Sequence, residues 1–267
     1  MNQPPVIETH ELSRSFGPLT AVDKLTIAVA PGEIVGLLGR NGAGKSTIIK
    51  MLTTLLRPTS GRATVGGFDI VREAASVRRC IGYVPQALSA DGDLTGYENL
   101  LVFAKLYDIA RHERDGRIRE ALAMMGLTDF GDKLVKTYSG GMIRRLEIAQ
   151  STLHRPRVLF LDEPTVGLDP VARLSVWEQV RRLQVQAGSA ILLTTHYLEE
   201  AQALCRRVAI LCRGRVAAIG TPDELKAAVG LDATFEDVFE RFTSGEAVLP
   251  GAYDETSQTR RAAQRLG

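Results

Sequence analysis

Residues 39–47 of the chain combine glycines, a lysine and hydroxyl side chains at a spacing that can bind phosphate. The stretch satisfies the pattern G-x-x-x-x-G-K-S/T and reads Gly39-Arg40-Asn41-Gly42-Ala43-Gly44-Lys45-Ser46-Thr47. Glycine lets a phosphate oxygen approach the main chain, lysine can bridge the terminal phosphates, and the hydroxyl of Ser46 can ligate Mg²⁺. We therefore predict that this loop binds a nucleoside triphosphate.

The segments on either side of the loop favour the same interpretation. Residues 33–38 form an apolar run typical of a buried strand, and apolar residues recur at helical spacing from Ser46 to Leu56. A strand, a glycine loop and a helix together aim free backbone N–H groups and the positive end of the helix dipole at an anion. A glycine-rich turn that only caps a helix is the alternative, and both flanks argue against it.

Two adjacent carboxylates can supply the metal ligand and the general base that hydrolysis needs in addition to the loop. The apolar residues 158–161 predict a strand that ends at Asp162 and Glu163. Asp162 can hold Mg²⁺ directly or through water, and Glu163 can orient an attacking water or accept its proton. Two neighbouring acids are ordinarily a solvated loop, but the apolar run before them and the upstream glycine loop disfavour that alternative here.

Further polar residues follow other predicted strands. His196 ends the apolar run 190–195, at the edge of a parallel sheet where such folds bind ligands. Gln86 ends another predicted strand, and we expect it to sense Mg²⁺ or the lytic water. Ser139-Gly140-Gly141 precedes a helix and offers a second anion cradle by the same amide geometry. Isolated histidines are usually surface or core residues, which is our interpretation of His10, His112 and His154.

Composition limits the other function classes. The 267 residues are 45% hydrophobic and 24% charged, with a formal net charge of +2, so we expect an ordinary globular protein without a nucleic-acid partner. No apolar run approaches the ~18 residues that a membrane span needs, and the N-terminus lacks a signal-peptide pattern. Work at a membrane would therefore go through a partner. The chain has three cysteines, Cys80, Cys205 and Cys212. Their number and spacing indicate neither a disulfide framework nor a zinc site.

The order of the periodic segments predicts an α/β fold. We expect a P-loop NTPase core with a mostly parallel sheet flanked by helices, an antiparallel β subdomain near the N-terminus, and a helical insertion at about residues 87–153. Residues 1–242 would form one nucleotide-binding domain, followed by a flexible tail over residues 243–267. The predicted strands include 62–65 and 77–84, the predicted helices 97–107, 111–125, 171–186 and 234–242, and a hairpin is expected over 207–220.

Together these residues resemble the ATP-binding subunit of ABC transporters. Order and spacing agree over about residues 6–242, and the resemblance rests on Gly39–Thr47, Gln86, Tyr138–Met142, Val158–Glu163, Gly167–Asp169 and His196. The resemblance implies ATP and Mg²⁺ as cofactors, with Ser46, Gln86 and Asp162 at the metal and Glu163, His196 and Gln86 in catalysis. It also implies that Phe16 stacks on the adenine, as a base–aromatic stack requires a ring there.

The same resemblance implies a head-to-tail pair of ATP-binding subunits, identical or paralogous, with two ATP molecules at their interface. Ser139, Gly140 and Gly141 would then contact the nucleotide held by the partner, and Asp169 would communicate across the interface. Met142 stands where the family commonly has glutamine, so we assign it no polar role. Phe16 stands where the family usually has tyrosine and keeps the ring without the hydroxyl.

Several segments are similar to one branch of this family, the daunorubicin-resistance-type exporters with ABC-2-type permeases. They are Tyr138–Met142, Arg144–Leu146, Thr221–Leu225 and Phe235–Phe239. The resemblance implies an ATPase at the inner face of the cell membrane, in the cytoplasm, that powers export by a separate transmembrane permease. The alternatives are a soluble ABC-type ATPase acting on ribosomes or DNA, a P-loop kinase, and a nucleotide-gated binding module without turnover.

Overall fold

Strands and helices alternate along most of the chain. The computed structural model describes residues 3–230 and 232–244. Its strands are β1 (Ile7–Phe16), β2 (Leu19–Leu25), β3 (Ala28–Val29), β4 (Ile34–Gly39), β5 (Ser60–Val65), β6 (Phe68–Asp69), β7 (Ile81–Val84), β8 (Val158–Asp162), β9 (Ala190–Thr195), β10 (Arg207–Cys212) and β11 (Arg215–Gly220). Its α-helices are α1 (Lys45–Leu52), α2 (Ala74–Cys80), α3 (Gly96–Leu106), α4 (Arg111–Met124), α5 (Gly140–Thr152), α6 (Pro170–Ala187), α7 (Leu198–Leu204), α8 (Pro222–Ala227) and α9 (Phe235–Thr243).

The larger sheet carries the predicted phosphate-binding loop. Within the described residues it has six strands in the order β11-β10-β4-β9-β8-β7, and all neighbouring pairs are parallel except β10 and β11. Every residue of β4, β8 and β9 is buried, as expected for parallel strands covered on both faces. Neighbouring residues along these strands belong to different hydrophobic clusters, with Leu37, Phe160 and Leu192 in one and Leu38, Leu161 and Leu193 in the other.

Parallel pairing brings the carboxyl ends of four strands to one edge of this sheet. The loop after β4, the carboxylates at the end of β8, His196 after β9 and Gln86 after β7 all follow those ends. The register pairs Leu38 with Thr195 and Asp162 with Thr194, so the ends of these strands are level. The fold therefore gathers these predicted site residues at one edge, where open α/β sheets bind their ligands.

The smaller sheet is antiparallel and lies on the α1 side of the larger one. Its order is β2-β1-β5-β6, with β3 paired to β1. Apolar residues of β1 and β5 share a buried cluster with Ile48 and Ile49 of α1 and with Leu37 of β4. This cluster packs α1, the helix that begins at the phosphate-binding loop, against both sheets.

Helices α3, α4 and α5 follow β7 and lead back to β8. Thr95 caps α3 in a reciprocal capping box with Glu98, and α5 packs directly against β7. A side chain at Gly82 of β7 would bring its Cβ within 2.3 Å of the carbonyl oxygen of Ser151 in α5. The absence of a side chain at Gly82 thus lets α5 contact the sheet next to the segment that carries Gln86.

Two sequence predictions of secondary structure were wrong. Residues 77–80 end helix α2, and only 81–84 form the predicted strand. Val77, Cys80 and Ile81 have helical spacing, and Val77 is buried while its two arginine neighbours are exposed. Helix α1 ends at Leu52 rather than Leu56, because the backbone turns left-handed at Thr54 and the N–H of Leu56 then donates back to the carbonyl oxygen of Lys50.

The α/β fold class is confirmed, with a mostly parallel sheet, an antiparallel sheet and a largely helical segment. The boundaries of the proposed nucleotide-binding domain and of the insertion at about 87–153 stay predictions. The predicted flexible tail lies outside the described residues, apart from residues 243 and 244.

Among residues 3–230 and 232–244, no helix is both long and apolar enough to cross a membrane.

Candidate functional site

The phosphate-binding loop turns between β4 and α1 on left-handed glycines. Gly42 and Gly44 have φ values of 82° and 101°, which side-chain-bearing residues rarely adopt. A Cβ at Gly44 would also lie 2.5 Å from the carbonyl oxygen of Ala21. The loop therefore presses against β2, and glycine is required there for both conformational and steric reasons.

Lys45 is buried at the start of α1 and directs its ammonium back across the loop. Its Nζ donates to the carbonyl oxygen of Gly39 at 2.7 Å and to that of Arg40 at 3.3 Å. The same atom lies 3.1 Å from Oε1 of Glu163. Since an ammonium has three N–H donors, these three partners account for all of them.

A hydroxyl and a carboxylate meet beside the start of α1. The Oγ of Ser46 donates to Oδ1 of Asp162 at 3.1 Å, and Oγ1 of Thr194 donates to the same oxygen at 2.6 Å. Asp162 is only 3% exposed. Mg²⁺ prefers oxygen ligands and is usually held by one or two protein groups together with substrate phosphates. The side chains of Ser46 and Asp162 fit that donor set.

The carboxylate of Glu163 contacts three other predicted site residues. Its Oε2 lies 3.2 Å from Nδ1 of His196 and accepts a hydrogen bond from Nε2 of Gln86 at 3.4 Å, while its Oε1 faces Lys45. The residue is 7% exposed. The predicted catalytic residues Glu163, His196 and Gln86 are therefore in direct contact, next to the lysine of the phosphate-binding loop.

The backbone of Glu163 is held in an unusual conformation. Its φ of 48° lies in the left-handed region, which is costly for a residue with a side chain and is found often at functional sites. The N–H of Glu163 donates to Oγ1 and to the carbonyl oxygen of Thr194. Thr194 thus holds the carboxylate of Asp162 and the backbone of Glu163, a role that sequence reasoning missed because a threonine within a strand carries no distinguishing signal.

The remaining predicted ATP-binding residues lie in the loop, in α1 and at the β1–β2 hairpin. Asn41, Ala43 and Thr47 belong to the loop and its helix. Phe16 ends β1, opposite Leu19 of β2, and is 45% exposed. The guanidinium of Arg14 lies 4.5 Å from the centroid of the Phe16 ring.

Ser139, Gly140, Gly141 and Asp169 form a second group at the N-termini of α5 and α6. Ser139 caps α5 by accepting from the N–H of Met142, and Asp169 caps α6 by accepting from the N–H of Ala172. A Cβ at Gly141 would lie 2.8 Å from that of Ala172, so the two helix starts touch. Ser139 and Gly140 are exposed. No hydrogen bond or ion pair among the described residues joins this group to the phosphate-binding loop.

A buried ion pair on α5 holds the segment that carries Gln86. Arg144 is 2% exposed and donates to the carbonyl oxygens of Pro85 and Gln86, both at 2.7 Å, and to Glu147 at 2.9 Å. Glu147 accepts from the N–H and the hydroxyl of Ser89. Sequence reasoning missed this pair, although two opposite charges three residues apart on an otherwise buried helix face are a usable signal.

A buried carboxyl links the turn after Glu163 to α6 and α7. Glu200 accepts from the hydroxyl of Thr165 at 2.7 Å and from the indole N–H of Trp177 at 2.9 Å. Burial raises the pKa of Glu200 above its ordinary value, and the hydrogen bonds from Thr165 and Trp177 oppose that change. The contact ties the segment between Glu163 and Asp169 to the helix that follows.

Comparisons with known proteins agree with this geometry. The family model described as "ABC transporter" matches residues 22–166. The daunorubicin resistance ATP-binding protein DrrA3 of Streptomyces coeruleorubidus is 48% identical over 219 residues, which are 82% of this chain and 69% of that protein. The daunorubicin/doxorubicin resistance ATP-binding protein DrrA of Streptomyces peucetius is 49% identical over 232 residues, 86% of this chain and 70% of that protein.

A solved structure of an ATP-binding subunit of an ABC transporter has the same fold. It is 31% identical to this chain, with a TM-score of 0.78, and the superposition covers 89% of this chain and 99% of that one. The family match spans the loop, Gln86, the start of α5, Asp162 and Glu163, and ends before His196. The chain belongs to the ABC transporter family, and within it is an ATP-binding subunit, the ATPase that drives transport through a membrane permease.

Proposed function

We propose that this chain hydrolyses Mg²⁺-ATP as one of two head-to-tail subunits that power an ABC-2-type membrane exporter. The observation that carries the proposal is the contact of Lys45, Gln86 and His196 with the single carboxylate of Glu163. A lysine of the phosphate-binding loop and a carboxylate beside it are the groups that position a terminal phosphate and activate a water.

In this proposal Glu163 is the general base. One carboxylate oxygen takes a proton from the attacking water as the water oxygen bonds to the terminal phosphorus and the bond to the leaving ADP oxygen breaks. Gln86 and His196 hold the other side of the carboxylate through Oε2, which fixes the direction in which Oε1 faces the loop. An N–H on Nδ1 of His196 can be donated to the carboxylate, which leaves Nε2 as an acceptor for a hydrogen bond from the water.

The triphosphate would lie on the backbone N–H groups of residues 39–47 and on Lys45. Ser46 and Asp162 would hold Mg²⁺, with Gln86 as a further candidate ligand from the edge of the site. The metal, when bound, neutralises phosphate charge in the transition state. Phe16 would stack on the adenine, supported by its exposed ring at the end of the hairpin whose Ala21 contacts Gly44.

Ser139, Gly140 and Gly141 fit the nucleotide of a second subunit. The helix start is exposed, presents free N–H groups, and makes no polar contact with the loop of its own chain in the described residues. A two-fold pair places the same two patches against each other twice, so each loop would meet a Ser139 segment from the other subunit. Asp169, which caps the neighbouring helix α6, would lie at that interface.

The helical segment is proposed to transmit nucleotide state to the permease. Gln86 stands at its start, and the Arg144–Glu147 pair binds the backbone of residues 85, 86 and 89 to the helix that begins at Ser139. Closure of Ser139 over a partner's nucleotide would therefore move the segment around Gln86 as well. We propose residues 87–153 as the inserted helical subdomain of a nucleotide-binding domain that spans residues 1–242.

The cargo and direction of transport are inferred from relatives. DrrA and DrrA3 are named for resistance to daunorubicin or doxorubicin, which supports outward transport of an amphipathic compound by this chain's permease. The proposed location is the cytoplasmic face of the cell membrane, held by the permease.

A pull-down of the tagged Glu163→Gln chain from native membranes tests this proposal. In the presence of Mg²⁺-ATP the blocked subunit should stay closed on its partners, and mass spectrometry should identify a polytopic membrane protein. The double variant Glu163→Gln with Lys45→Ala, which should not hold ATP, is the matched control and should recover less of it. Recovery of ribosomal or other soluble proteins alone, with the bait absent from membranes, would contradict the transporter assignment and favour a soluble ABC-type ATPase.

A further inference from the structure

We propose that Tyr197 and Arg173 are positioning residues that hold the imidazole of His196 against Glu163. The inference rests on the proposed function, because it assumes that His196 takes part in ATP hydrolysis. It extends the active site to two side chains that touch neither the phosphate-binding loop nor the carboxylates, one on α6 and one at the start of α7.

The contacts form a chain that leads from α6 to the catalytic carboxylate. The guanidinium carbon of Arg173 lies 4.2 Å from the centroid of the Tyr197 ring. The Tyr197 ring in turn lies 4.2 Å from the imidazole of His196, centroid to centroid, with the planes inclined at 39°. Nδ1 of His196 is 3.2 Å from Oε2 of Glu163. Four side chains are thus in consecutive contact.

His196 needs such support because one hydrogen bond does not fix a ring. Its side chain is 31% exposed, and an imidazole held only through Nδ1 can still swing about that contact. The tilted ring contact with Tyr197 restricts this freedom. A misplacement of about 1 Å in a reacting group can lower a rate by roughly 100-fold, so a contact that controls ring position bears directly on the rate.

Arg173 is suited to hold Tyr197 because its ion pair with Glu199 is long and exposed to water. Its side chain is 19% exposed, and its Nη1 lies 3.9 Å from Oε2 of Glu199, a carboxylate that is 79% exposed. The face of an aromatic ring attracts a guanidinium, and the attraction grows as water is excluded. The ring of Tyr197 is therefore a close ordered contact of the guanidinium, whose charge also acts on the buried carboxyl of Glu200 and opposes the rise in its pKa that burial causes.

The position of Arg173 connects this chain of contacts to the turn that contains Asp169. Arg173 lies in the first turn of α6, and its N–H donates to the carbonyl oxygen of Asp169 at 2.9 Å. A displacement of residues 167–169 would shift the first turn of α6 and with it the guanidinium on Tyr197. The proposed pairing of subunits through this turn would thereby influence the imidazole at Glu163.

Single-turnover cleavage of ATP by the purified full chain, with protein in excess over ATP, tests the inference. We expect Tyr197→Leu and Arg173→Met to lower the cleavage rate by roughly tenfold, while the affinity for ATP and the unfolding midpoint change little. Tyr197→Phe keeps the ring, and this variant should retain most of the original cleavage rate. Arg119→Met removes a cation–ring contact to Tyr97 on the helical segment, with 6.0 Å between guanidinium and ring centroid, and serves as the matched control with a normal rate.

A double-mutant cycle separates positioning from a structural effect. If Tyr197 acts through His196, Tyr197→Leu should have no further effect on the rate in a His196→Ala chain. The inference is overturned if Tyr197→Leu cleaves ATP at the normal rate, or if its full effect persists without His196. If His196→Ala itself cleaves ATP at the normal rate, the proposed role of His196 fails and the inference fails with it. This outcome differs from failure of the inference alone, in which only Tyr197→Leu cleaves at the normal rate.

Discussion

At the scale of single residues, the state of Lys45 determines how the site can accept ATP. The three donors of its ammonium point to Gly39, Arg40 and Glu163, and the residue is 5% exposed. A buried ammonium without partners is costly, so these contacts keep it satisfied. A phosphate oxygen must replace at least one of them, and exchange of the contact with Glu163 would free Oε1 to face a water.

Lys45→Ala should weaken ATP binding itself. Loss of hydrogen bonds from a charged donor costs about 1.5–3 kcal/mol, which corresponds to roughly 10- to 150-fold in the dissociation constant. Equilibrium binding of a fluorescent ATP analogue measures this change. Lys50→Ala removes an exposed lysine of the same helix and should bind normally. An unchanged affinity of Lys45→Ala would exclude Lys45 from the phosphate site.

The placement of the predicted site residues at one sheet edge could be read from chain geometry, while their roles stay predictions. Asp162, Glu163, His196 and Gln86 each follow a strand, and parallel pairing must bring such residues to one edge. Thr194 and the Arg144–Glu147 pair were missed because their importance depends on which distant backbone groups they reach. The contact of Arg173 with Tyr197 likewise joins two helices whose relative position no periodicity in the sequence specifies.

At the scale of elements, α5 and the residue His154 that follows it both contact strand β7 of the larger sheet. Gly82 lets the backbone of α5 approach β7, and His154, after α5, contacts both layers. The imidazole of His154 stacks on Tyr107 at the end of α3, with 3.8 Å between ring centroids, and its Nε2 lies 2.9 Å from the carbonyl oxygen of Ile81 in β7. This histidine therefore connects α3 to the strand that leads to Gln86.

The stability of the fold should depend on pH through His154. Burial lowers the pKa of His154, opposed by the hydrogen bond to Ile81, so the folded chain takes up this proton less readily than the unfolded chain. The stability that this difference contributes is present above the unfolded pKa of about 6.5 and is lost as pH falls towards the folded pKa. Protonation of His154 would accordingly loosen the joint between α3 and β7.

Urea unfolding at pH 7.5 and pH 5 measures this contribution. His154→Phe keeps the stack and removes the group that titrates, so the gap in free energy of unfolding, original chain minus variant, should fall from pH 7.5 to pH 5. His112→Phe, at an exposed position of α4, should lose stability with pH as the original chain does. A gap that stays constant or widens at pH 5 would contradict the assignment.

Sequence patterns predicted the elements well where burial imposes a period. The apolar runs of β4, β8 and β9 and the helices predicted at 97–107 and 234–242 agree with the structure. The pattern failed at residues 77–80, because a four-residue piece that contains one buried valine fits either a strand or the last turn of a helix. The end of α1 was missed because the helix stops at a left-handed threonine, Thr54, and no glycine marks that turn in the sequence.

At the scale of the whole molecule, the proposed site consists of two groups of residues that make no polar contact with each other within the described part of one chain. The loop and Glu163 form one connected group, while the capped helix starts at Ser139 and Asp169 form another without polar contact to it in the described residues. Two-fold pairing of subunits satisfies both groups at once. The proposal therefore requires that each working site be shared between two chains.

Mixing two inactive variants tests that sharing. Lys45→Ala disables the loop, and Ser139→Glu places a negative charge against the triphosphate of the partner while remaining compatible with a helix N-terminus. Each variant alone should lack ATPase activity. In a mixture with random pairing, half of the pairs contain one intact shared site, so about a quarter of the original turnover should return. No recovery from two folded variants would show that Ser139 does not act on a partner's nucleotide.

The most direct test of the account is ATP cleavage by the Glu163→Gln chain, measured beside its affinity for ATP. Glutamine has the same size as glutamate but cannot accept the proton of the attacking water, and loss of a general base lowers rates by about 100- to 10,000-fold. We predict that single-turnover cleavage nearly disappears while ATP still binds at least as tightly as to the original chain. Cleavage by Glu163→Gln at the original rate would contradict the assignment of Glu163 as the catalytic base and, with it, the central claim about this site.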